Sequence, residues 1–468
     1  MQKNNRLVLL GGTLIDGNGG LPVPNSTVIV KDNKIEWIGS AGQSDLPEDA
    51  HVVRLNGASI LPGLIDSHVH LGTSGGGLAD PEEFKPATLR ANLKTFLSFG
   101  VTTIMDMAAQ PILSEIQKDI DSGEALGPRL FGVRYGITAP DSHPMGLMRE
   151  LGATGKIGSH FIEVDSVAEA RAAVRRAAAE KPDGLKIYHS RTEFPGTMCL
   201  DCNRDKLKPD VLAALIDEGK LQGLKIFAHI AYPSEAREVI LAGADVLTHP
   251  VTHAETGFDE VCEMMVARGV AMHTTLTRME AYFGLKVDPF MREKLIGRVA
   301  PAVLRSIGLP KSVTFARHNM SGVTADARRI LEITMANIRR ATKAGVTIAM
   351  GTDSGGPGAV HGAGVPREME LMNESGMTPM QVIVAATRTA AEVIGQTDKI
   401  GTLQVGKLAD IIIVDGDPIR NISDIRKVRL VVKNGRVLEA HELVIPEPEP
   451  VAKGTNTPLP INPLFQAR

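Results

Sequence analysis

Apolar and polar positions follow two different patterns along the chain. Near both ends, short apolar runs separated by turn residues predict β-strands, as where Asp32-Asn33 follows the run at 26–30. From about residue 61 to residue 395, strand-like runs alternate with amphipathic stretches, and Ser166 with Glu169 has the spacing of a helical capping box. The central strand candidates are the apolar run that leads into residues 68–70 and the runs at 101–105, 129–135, 184–188, 224–229, 245–248, 270–275 and 346–350. Eight β-segments alternating with helices are the count of a (β/α)8 barrel.

The β-pattern returns after Gly395, in apolar runs at 411–414 and 428–432. Because the two chain ends share this pattern, we expect them to form one small β-sandwich domain with the barrel inserted between its halves. A doubly wound sheet is disfavoured, since no glycine-rich phosphate turn follows the first central strand. The predicted fold is α/β, a (β/α)8 TIM barrel at 61–395 with a β-sandwich from 1–60 and 396–445, followed by an extended Pro-rich tail at 446–468.

The composition of the chain disfavours some classes of binding partner. The 468-residue chain has a formal net charge of −3 without a basic block, which disfavours nucleic acid and anionic membranes as partners. No apolar run reaches the roughly 18 residues that cross a bilayer. The apolar run after the N-terminal six residues is too short for a signal-peptide core, so the cytoplasm is the expected location.

Three cysteines make a disulfide framework implausible. Cys199 and Cys202 form a CxxC, but Cys262, the third, lies far along the chain, so a structural zinc site lacks its second pair. Two free thiols are favoured, and a redox pair or an accessory metal contact is the alternative.

Candidate metal ligands fall where the predicted strands end. His68 and His70 are two residues apart, so on a strand both imidazoles face the same way and can chelate one divalent ion such as zinc. An ordinary surface loop is the alternative for this pair alone. Further candidates at strand ends are Lys186, His229, His249 and Asp353. Each has a structural alternative, a core histidine or a helix cap, but six such residues at one end of a barrel favour a site.

The motifs around these residues resemble a known family. The sequence Ile-Leu-Pro-Gly-Leu-Ile-Asp-Ser-His-Val-His at 60–70 resembles the signature of the metal-dependent amidohydrolase superfamily. The other matching segments lie at 12–17, 228–229, 247–250, 350–355 and 401–410, so the resemblance spans nearly the whole chain. The length and the Asp-Ser-Gly segment are most similar to the imidazolonepropionase-like and prolidase-like branch.

The resemblance implies a binuclear centre with two divalent ions, expected to be Zn²⁺. His68, His70 and Asp353 would hold the more buried ion, and His229 and His249 the more exposed one. Lys186 matches the strand-four lysine that family members carboxylate with CO2, which turns it into an anionic bridge. Lys225 lies in an almost identical Gly-Leu-Lys-Ile segment and is the rival.

Such a centre implies hydrolysis of an amide C–N bond by metal-activated hydroxide, with Asp353 as general acid/base. N-acyl amino acids, dipeptides, aryl amides and carbamates are the expected small-molecule substrates. The alternatives are a lactone or ester hydrolase with the same site, a mononuclear deaminase and a non-catalytic assembly protein. A deaminase would carry HxxE after strand five, whereas here Ile230-Ala231-Tyr232 follows His229.

Substrate contacts are expected from loops and strand ends. His143 and Tyr188 are predicted to act on the substrate, and His273 and His361 are candidates for lining the pocket. Insertions at 190–208 and 278–322, the second rich in apolar and aromatic residues, predict a lid over an apolar substrate or, as the alternative, a surface of a homo-oligomer.

Overall fold

The computed structural model describes residues 6–43, 46–71, 86–109, 112–150, 160–191, 205–253, 256–282, 320–355 and 359–443. The strands are β1 (Arg6–Leu14), β2 (Val23–Lys31), β3 (Lys34–Ser40), β4 (His51–Arg54), β5 (Ser59–Pro62), β6 (Leu64–Val69), β7 (Val101–Asp106), β8 (Arg129–Gly132), β9 (Gly136–Thr138), β10 (Phe161–Glu163), β11 (Leu185–Tyr188), β12 (Ile226–His229), β13 (Val246–Leu247), β14 (Ala271–His273), β15 (Ile348–Ala349), β16 (Ile411–Val414), β17 (Val428–Lys433) and β18 (Arg436–Glu439).

The helices are α1 (Pro86–Ser98), α2 (Ile112–Ser122), α3 (Met145–Glu150), α4 (Val167–Ala179), α5 (Pro209–Leu221), α6 (Pro233–Ala242), α7 (Phe258–Arg268), α8 (Leu276–Tyr282), α9 (Met320–Ala344), α10 (Gly364–Glu374), α11 (Pro379–Ala385) and α12 (Arg388–Val393), with 3-10 turns at Ile422–Lys427 and Ala440–Leu443. None of these described helices is both long enough and apolar enough to span a bilayer.

Both ends of the chain contribute to one mixed sheet. Its order is β18-β17-β16-β5-β1-β2-β3, and β4 pairs with β1. Side chains alternate between its faces: Ile411 and Ile413 pack into the sheet's own core, whereas Ile412 and Val414 pack against the core of the barrel. The backbone amide of Ile35 donates to the Lys407 carbonyl at 2.9 Å, so the edge strand β3 contacts the segment that leads into β16.

The central strands β6 to β15 are parallel and pair in two sets, β6-β7-β8 and β10-β9-β11-β12-β13-β14-β15. Strand β6 is joined to the segment after β15 by hydrogen bonds from Ser67 N to Met350 O (3.1 Å), Asp353 N to His68 O (2.8 Å) and His70 N to Ser354 O (2.7 Å). The third barrel strand, predicted as one run at 129–135, is divided into β8 and β9. A barrel with a separate sheet from both chain ends confirms the predicted fold class, and the exact domain boundaries stay a prediction.

Several sequence predictions lie outside the described residues. These are Cys199 and Cys202, the Pro-rich tail, and the parts of the two insertions at 192–204 and 283–319. Cys262 is described, and it is a buried free thiol.

Candidate metal centre

Strand β6 places His68 and His70 at the mouth of the barrel. Both rings face the same side, as the period of a strand requires, and their Nε2 atoms lie 3.3 Å apart. The Asp353 carboxylate meets them: its Oδ1 lies 3.0 Å from His70 Nε2 and 3.6 Å from His68 Nε2. His68 is fully buried and Asp353 is 8% exposed, so three donor groups converge in a site with little access for water.

The turn after β15 holds Asp353 by unusual backbone geometry. Asp353 has a φ of 54°, in the left-handed region that is costly for a non-glycine residue. Gly355 has a φ of 105°, and a Cβ there would lie 1.8 Å from the His70 carbonyl oxygen. A Cβ on Gly351 would lie 2.7 Å from the Cβ of His68. The glycines therefore allow this turn to pass directly over the end of β6.

Asp66, which the sequence reasoning missed, ties the same two segments together. It is fully buried, and its carboxylate accepts hydrogen bonds from Thr352 N at 2.9 Å and from Thr352 Oγ1 at 2.6 Å. Burial raises the pKa of Asp66 to about 7, although these hydrogen bonds oppose the rise. Its position two residues before His68, on the same face of the strand, was the available signal.

His249, two residues after β13, also belongs to the centre. One ligand atom each of His68, His249 and Asp353 lie within 4.8 Å of one another. The resemblance implies that His249 joins His229 at the second ion, and the His249 ring centroid is 4.5 Å from that of His229 as well as 4.9 Å from that of His68. His249 Nδ1 lies 3.1 Å from Thr275 Oγ1, a contact that orients its ring.

Three of the candidate ligands, His68, His229 and His249, are neutral imidazoles. Burial holds the pKa values of His68, His229 and His249 well below the usual range. His68 Nδ1 lies 3.0 Å from the Thr248 carbonyl oxygen, which only accepts, so Nδ1 donates and Nε2 directs its lone pair at the centre. Neutral imidazoles and a carboxylate are the donor set that divalent zinc-like ions prefer, so the residues fit a metal.

Lys186 on β11 is fully buried beside this cluster. Its Nζ donates to Thr248 Oγ1 at 2.6 Å, and burial lowers its pKa to about 7. Lys225 lies at the start of β12, the end opposite His229, where its Nζ donates to the carbonyls of Glu392 and Val393 at 3.0 and 2.9 Å. Lys186 thus lies within its strand, whereas Lys225 lies directly before its strand.

His229 lies in an aromatic group beside the cluster. Its ring centroid is 4.5 Å from that of His249, 4.4 Å from that of His143 and 5.4 Å from that of Tyr188. Burial raises the pKa of Tyr188 far above its usual value, so its hydroxyl stays protonated and can donate. His143 and Tyr188 therefore lie next to the predicted ligands.

His273 and His361 lie behind the ligands. The fully buried His273 ring is 5.4 Å from the His68 ring, and burial lowers its pKa to about 3. His361 Nε2 donates a hydrogen bond of 3.1 Å to the His70 carbonyl oxygen. Each therefore contacts a candidate ligand histidine, and each also lies against a phenylalanine, His273 against Phe227 and His361 against Phe96.

Arg278 is a further residue that the sequence reasoning did not single out. It lies on α8, directly after β14, and its Nε is 3.6 Å from Asp353 Oδ2. Its only sequence signal was its place at the start of the insertion at 278–322.

Comparisons with known proteins identify the family of the chain. Residues 59–438 match the amidohydrolase family. An ochratoxinase from Aspergillus niger is 25% identical over 469 residues, which covers 92% of this chain and 86% of that protein. An imidazolonepropionase from Brevibacillus brevis is 24% identical over 443 residues, which covers 89% of this chain and 91% of that protein. The crystal structure of a Xaa-Pro dipeptidase with bound methionine in the active site has a TM-score of 0.71 and 24% identity, covering 93% of this chain and 100% of that one. The resemblance inferred from the motifs is confirmed: the chain belongs to the amidohydrolase family.

Proposed function

We propose that this metal-dependent hydrolase cleaves the amide C–N bond of a small molecule with the help of two divalent ions. The observation that carries the proposal is the convergence of His68, His70, His249 and Asp353 donor atoms in one buried site. His229, beside His249, and Lys186, beside Thr248, would complete the ligand set. Zinc is the proposed metal because most of the donors are neutral imidazoles. When bound, such ions supply a nucleophile from water at neutral pH and polarise the substrate carbonyl.

Lys186 would serve the centre as a carbamate. Its lowered pKa, about 7, leaves much of the amine neutral near physiological pH, and only the neutral amine attacks CO2. The new N–C bond forms as one proton leaves the nitrogen, so a neutral side chain becomes an anionic one with two ligand oxygens. Lys186 is fully buried, and the negative charge would be compensated by the cations it holds.

Asp353 would move the proton during the reaction. Burial alone would raise its pKa, but the hydrogen bond from His70 and the charge of Arg278 outweigh burial and hold the pKa well below the usual range. The group is therefore a carboxylate that can accept the proton of the attacking water. Transfer of that proton to the leaving nitrogen avoids expulsion of an amide anion, which is the difficult step of amide hydrolysis.

His143 and Tyr188 would bind the substrate beside His229. Both carry groups that can donate a hydrogen bond, and the rings of both lie against the ring of His229. Donors at this place would stabilise the negative charge that develops on the carbonyl oxygen.

The substrate class follows from the chemistry and from the relatives. Ochratoxinase, imidazolonepropionase and Xaa-Pro dipeptidase are the names of proteins to which this chain is similar. N-acyl amino acids, dipeptides, aryl amides and carbamates are the proposed substrates. A lactone or ester is the second candidate, since the same groups would activate its carbonyl.

The test is the metal content per chain, measured by plasma emission on protein purified without chelators, with and without added bicarbonate. We expect about two zinc-like ions per chain, more with bicarbonate, together with hydrolysis within a panel of amides. Asp353→Asn should lose most of the turnover. One ion that is indifferent to bicarbonate would instead support a mononuclear deaminase, and no metal with no hydrolysis after reconstitution would support a non-catalytic protein.

A further inference from the structure

His273, the last residue of β14, is a buried polar side chain that the proposed mechanism does not use. It is fully buried, and neither of its ring nitrogens has a hydrogen-bond partner among the described residues. Burial of an imidazole without partners is unfavourable, so a group that binds in the site is expected to supply one.

Strand register directs His273 to the same side of the sheet as Lys186. Across β11 to β14, the residues opposite one another are Lys186, Phe227, Val246 and Ala271. Opposite residues on neighbouring strands share a face, and so does a residue two positions further along one strand. His273, two residues after Ala271, therefore faces the interior of the barrel together with Lys186.

Ring contacts place His273 between a candidate ligand and the apolar core. Its ring centroid lies 5.4 Å from that of His68 and 6.1 Å from that of Phe227, and the planes of His273 and Phe227 differ by only 29°. Phe227 is fully buried and its side chain carries no polar atom. A polar partner for His273 is therefore expected on the side of the candidate metal centre.

The His273 ring is neutral. Burial lowers its pKa to about 3, and the charge of Lys186 acts in the same direction. A neutral imidazole has one N–H donor and one acceptor nitrogen. At neutral pH the ring does not take up the proton that Lys186 loses on carboxylation, so it can act there only through a hydrogen bond.

A carbamate on Lys186 would need a hydrogen-bond donor in this place. When the amine attacks CO2, the N–C bond forms, the nitrogen loses one proton to water, and a carboxylate with two oxygens results. Coordination of one ion by each oxygen leaves a lone pair on each for a donor. Thr248 Oγ1 accepts from Lys186 Nζ at 2.6 Å but already donates its single hydrogen to the Ala228 carbonyl oxygen at 3.2 Å.

We propose that His273 is a positioning residue that donates a hydrogen bond to carboxylated Lys186 and so stabilises the carbamate on which metal binding depends. The inference rests on the proposed function. A hydrogen bond to an anionic oxygen is stronger than one between neutral groups. His273 thus determines how much CO2 the centre requires to bind its metal ions.

Two other roles of His273 would give different results when its imidazole is removed. If His273 were a metal ligand, the metal content would stay low even at saturating bicarbonate. If its ring only packed against Phe227, stability would fall, but the bicarbonate concentration for half-maximal metal content would not change. Loss of a donor to the carbamate raises that concentration and leaves the maximum as it was.

The experiment titrates metal-free protein with bicarbonate at a fixed zinc concentration and measures bound zinc per chain. His273→Phe keeps a ring without polar atoms and should need about 10-fold more bicarbonate, or more, for half-maximal zinc content. His273→Asn retains an N–H donor and should reverse part of this shift. His253→Phe is the matched control: His253 also has a buried ring nitrogen without a partner among the described residues, but its ring stacks on Tyr232. It should titrate like the wild type.

Carbon-13 NMR with labelled bicarbonate observes the carbamate directly. Wild-type protein should give a carbamate signal that is absent from Lys186→Met and weaker in His273→Phe at equal bicarbonate. His273→Met is measured alongside, so that the result does not depend on fitting a larger ring, and circular dichroism checks folding. An unchanged bicarbonate requirement, a reduced maximum of bound zinc, or failure of both apolar variants to fold would overturn the proposal.

These measurements separate the role of His273 from the proposed reaction. Neither uses turnover, so absence of amide hydrolysis would count against the proposed reaction alone. A wild-type protein without a carbamate signal would overturn both the carbamate and the role of His273. A normal signal with equal titrations of wild type and His273→Phe would overturn only the role of His273.

Discussion

Two lysines in nearly identical segments have different surroundings because of strand register. Strands β11 and β12 pair with Leu185 opposite Ile226 and Lys186 opposite Phe227. Lys225 is therefore two positions short of the place that corresponds to Lys186, about 7 Å back along the strand, so its side chain meets the carbonyls of Glu392 and Val393 instead of the candidate metal centre. Sequence similarity alone could not distinguish the two residues.

Replacing Lys186 by Met should change both metal content and the pH dependence of stability. The pKa of Lys186 is about 7 in the folded protein against 10.5 for an ordinary lysine. Between these values the unfolded chain binds the proton and the folded chain does not, so the free energy of unfolding of metal-free protein rises with pH through this window. The contribution of this one group is at most about 1.4 kcal/mol per pH unit. Urea unfolding at several pH values, without bicarbonate, should show a smaller slope in Lys186→Met.

Lys225→Met is the matched control, because Lys225 lies in the same sequence motif but its Nζ contacts the carbonyls of Glu392 and Val393 instead of the candidate metal centre. It should keep the metal content of the wild type. In Lys186→Met the metal content should fall and become insensitive to bicarbonate, and short-chain carboxylic acids should restore part of it. If only Lys225→Met lost metal, Lys225 and not Lys186 would be the lysine that becomes the carbamate.

At the scale of elements, the features predicted from the sequence are those that depend on residues close together along the chain. The capping box of α4 is present, with Glu169 N donating to Ser166 Oγ at 3.3 Å, because its residues are neighbours along the chain. The metal-ligand candidates were likewise found from their places after apolar runs. The tie between Asp66 and Thr352 spans 286 residues and could not be read from local pattern. The lengths of β13 and β15, two residues each, also depend on packing within the barrel.

Gly355→Ala tests the turn that passes over β6. Its new Cβ would lie 1.8 Å from the backbone oxygen of His70, which has little room to move, so the turn must shift and Asp353 with it. We expect a loss of stability of about 2 kcal/mol or more together with a loss of bound metal, measured by urea unfolding and by metal analysis.

Gly345→Ala is the control for backbone conformation alone. Gly345 has a φ of 83°, but nothing lies within 4 Å of a Cβ there. The Gly345→Ala protein should lose about 1 kcal/mol of its free energy of unfolding and keep its metal. Equal effects of the two substitutions would mean that contact with His70 does not position Asp353.

At the scale of the whole molecule, a buried ionic cluster joins the barrel to the sheet from the chain ends. Asp410 accepts from Arg129 Nε, at the start of β8, at 3.2 Å and from Lys433 Nζ, on β17, at 3.0 Å. Asp410 and Lys433 are each 5% exposed, so neither charge is well solvated.

Asp410→Asn should destabilise the protein by about 3–5 kcal/mol, because it leaves two cations without their buried counter-charge. The turnover of the folded enzyme should change little, since Asp410 lies at the end of the barrel opposite the candidate metal centre. Asp415→Asn, which removes a half-exposed partner of Arg429, should cost no more than about 1 kcal/mol. Urea unfolding measures both, and similar small losses would show that the cluster does not stabilise the junction.

The sheet built from both ends also determines the order in which the protein can be completed during its synthesis. Strand β5 pairs with β16, and Ser59 Oγ donates to the Gly416 carbonyl oxygen across a separation of 357 residues. A ribosome adding about 5–20 residues per second needs roughly 20–70 s to cover that distance. Throughout this interval β5, which carries Ile60 and Leu61, presents an unpaired apolar edge. The nascent chain therefore depends on protection from chaperones for longer than a chain whose strands pair in order, and a transcript truncated before β16 would yield an aggregating product.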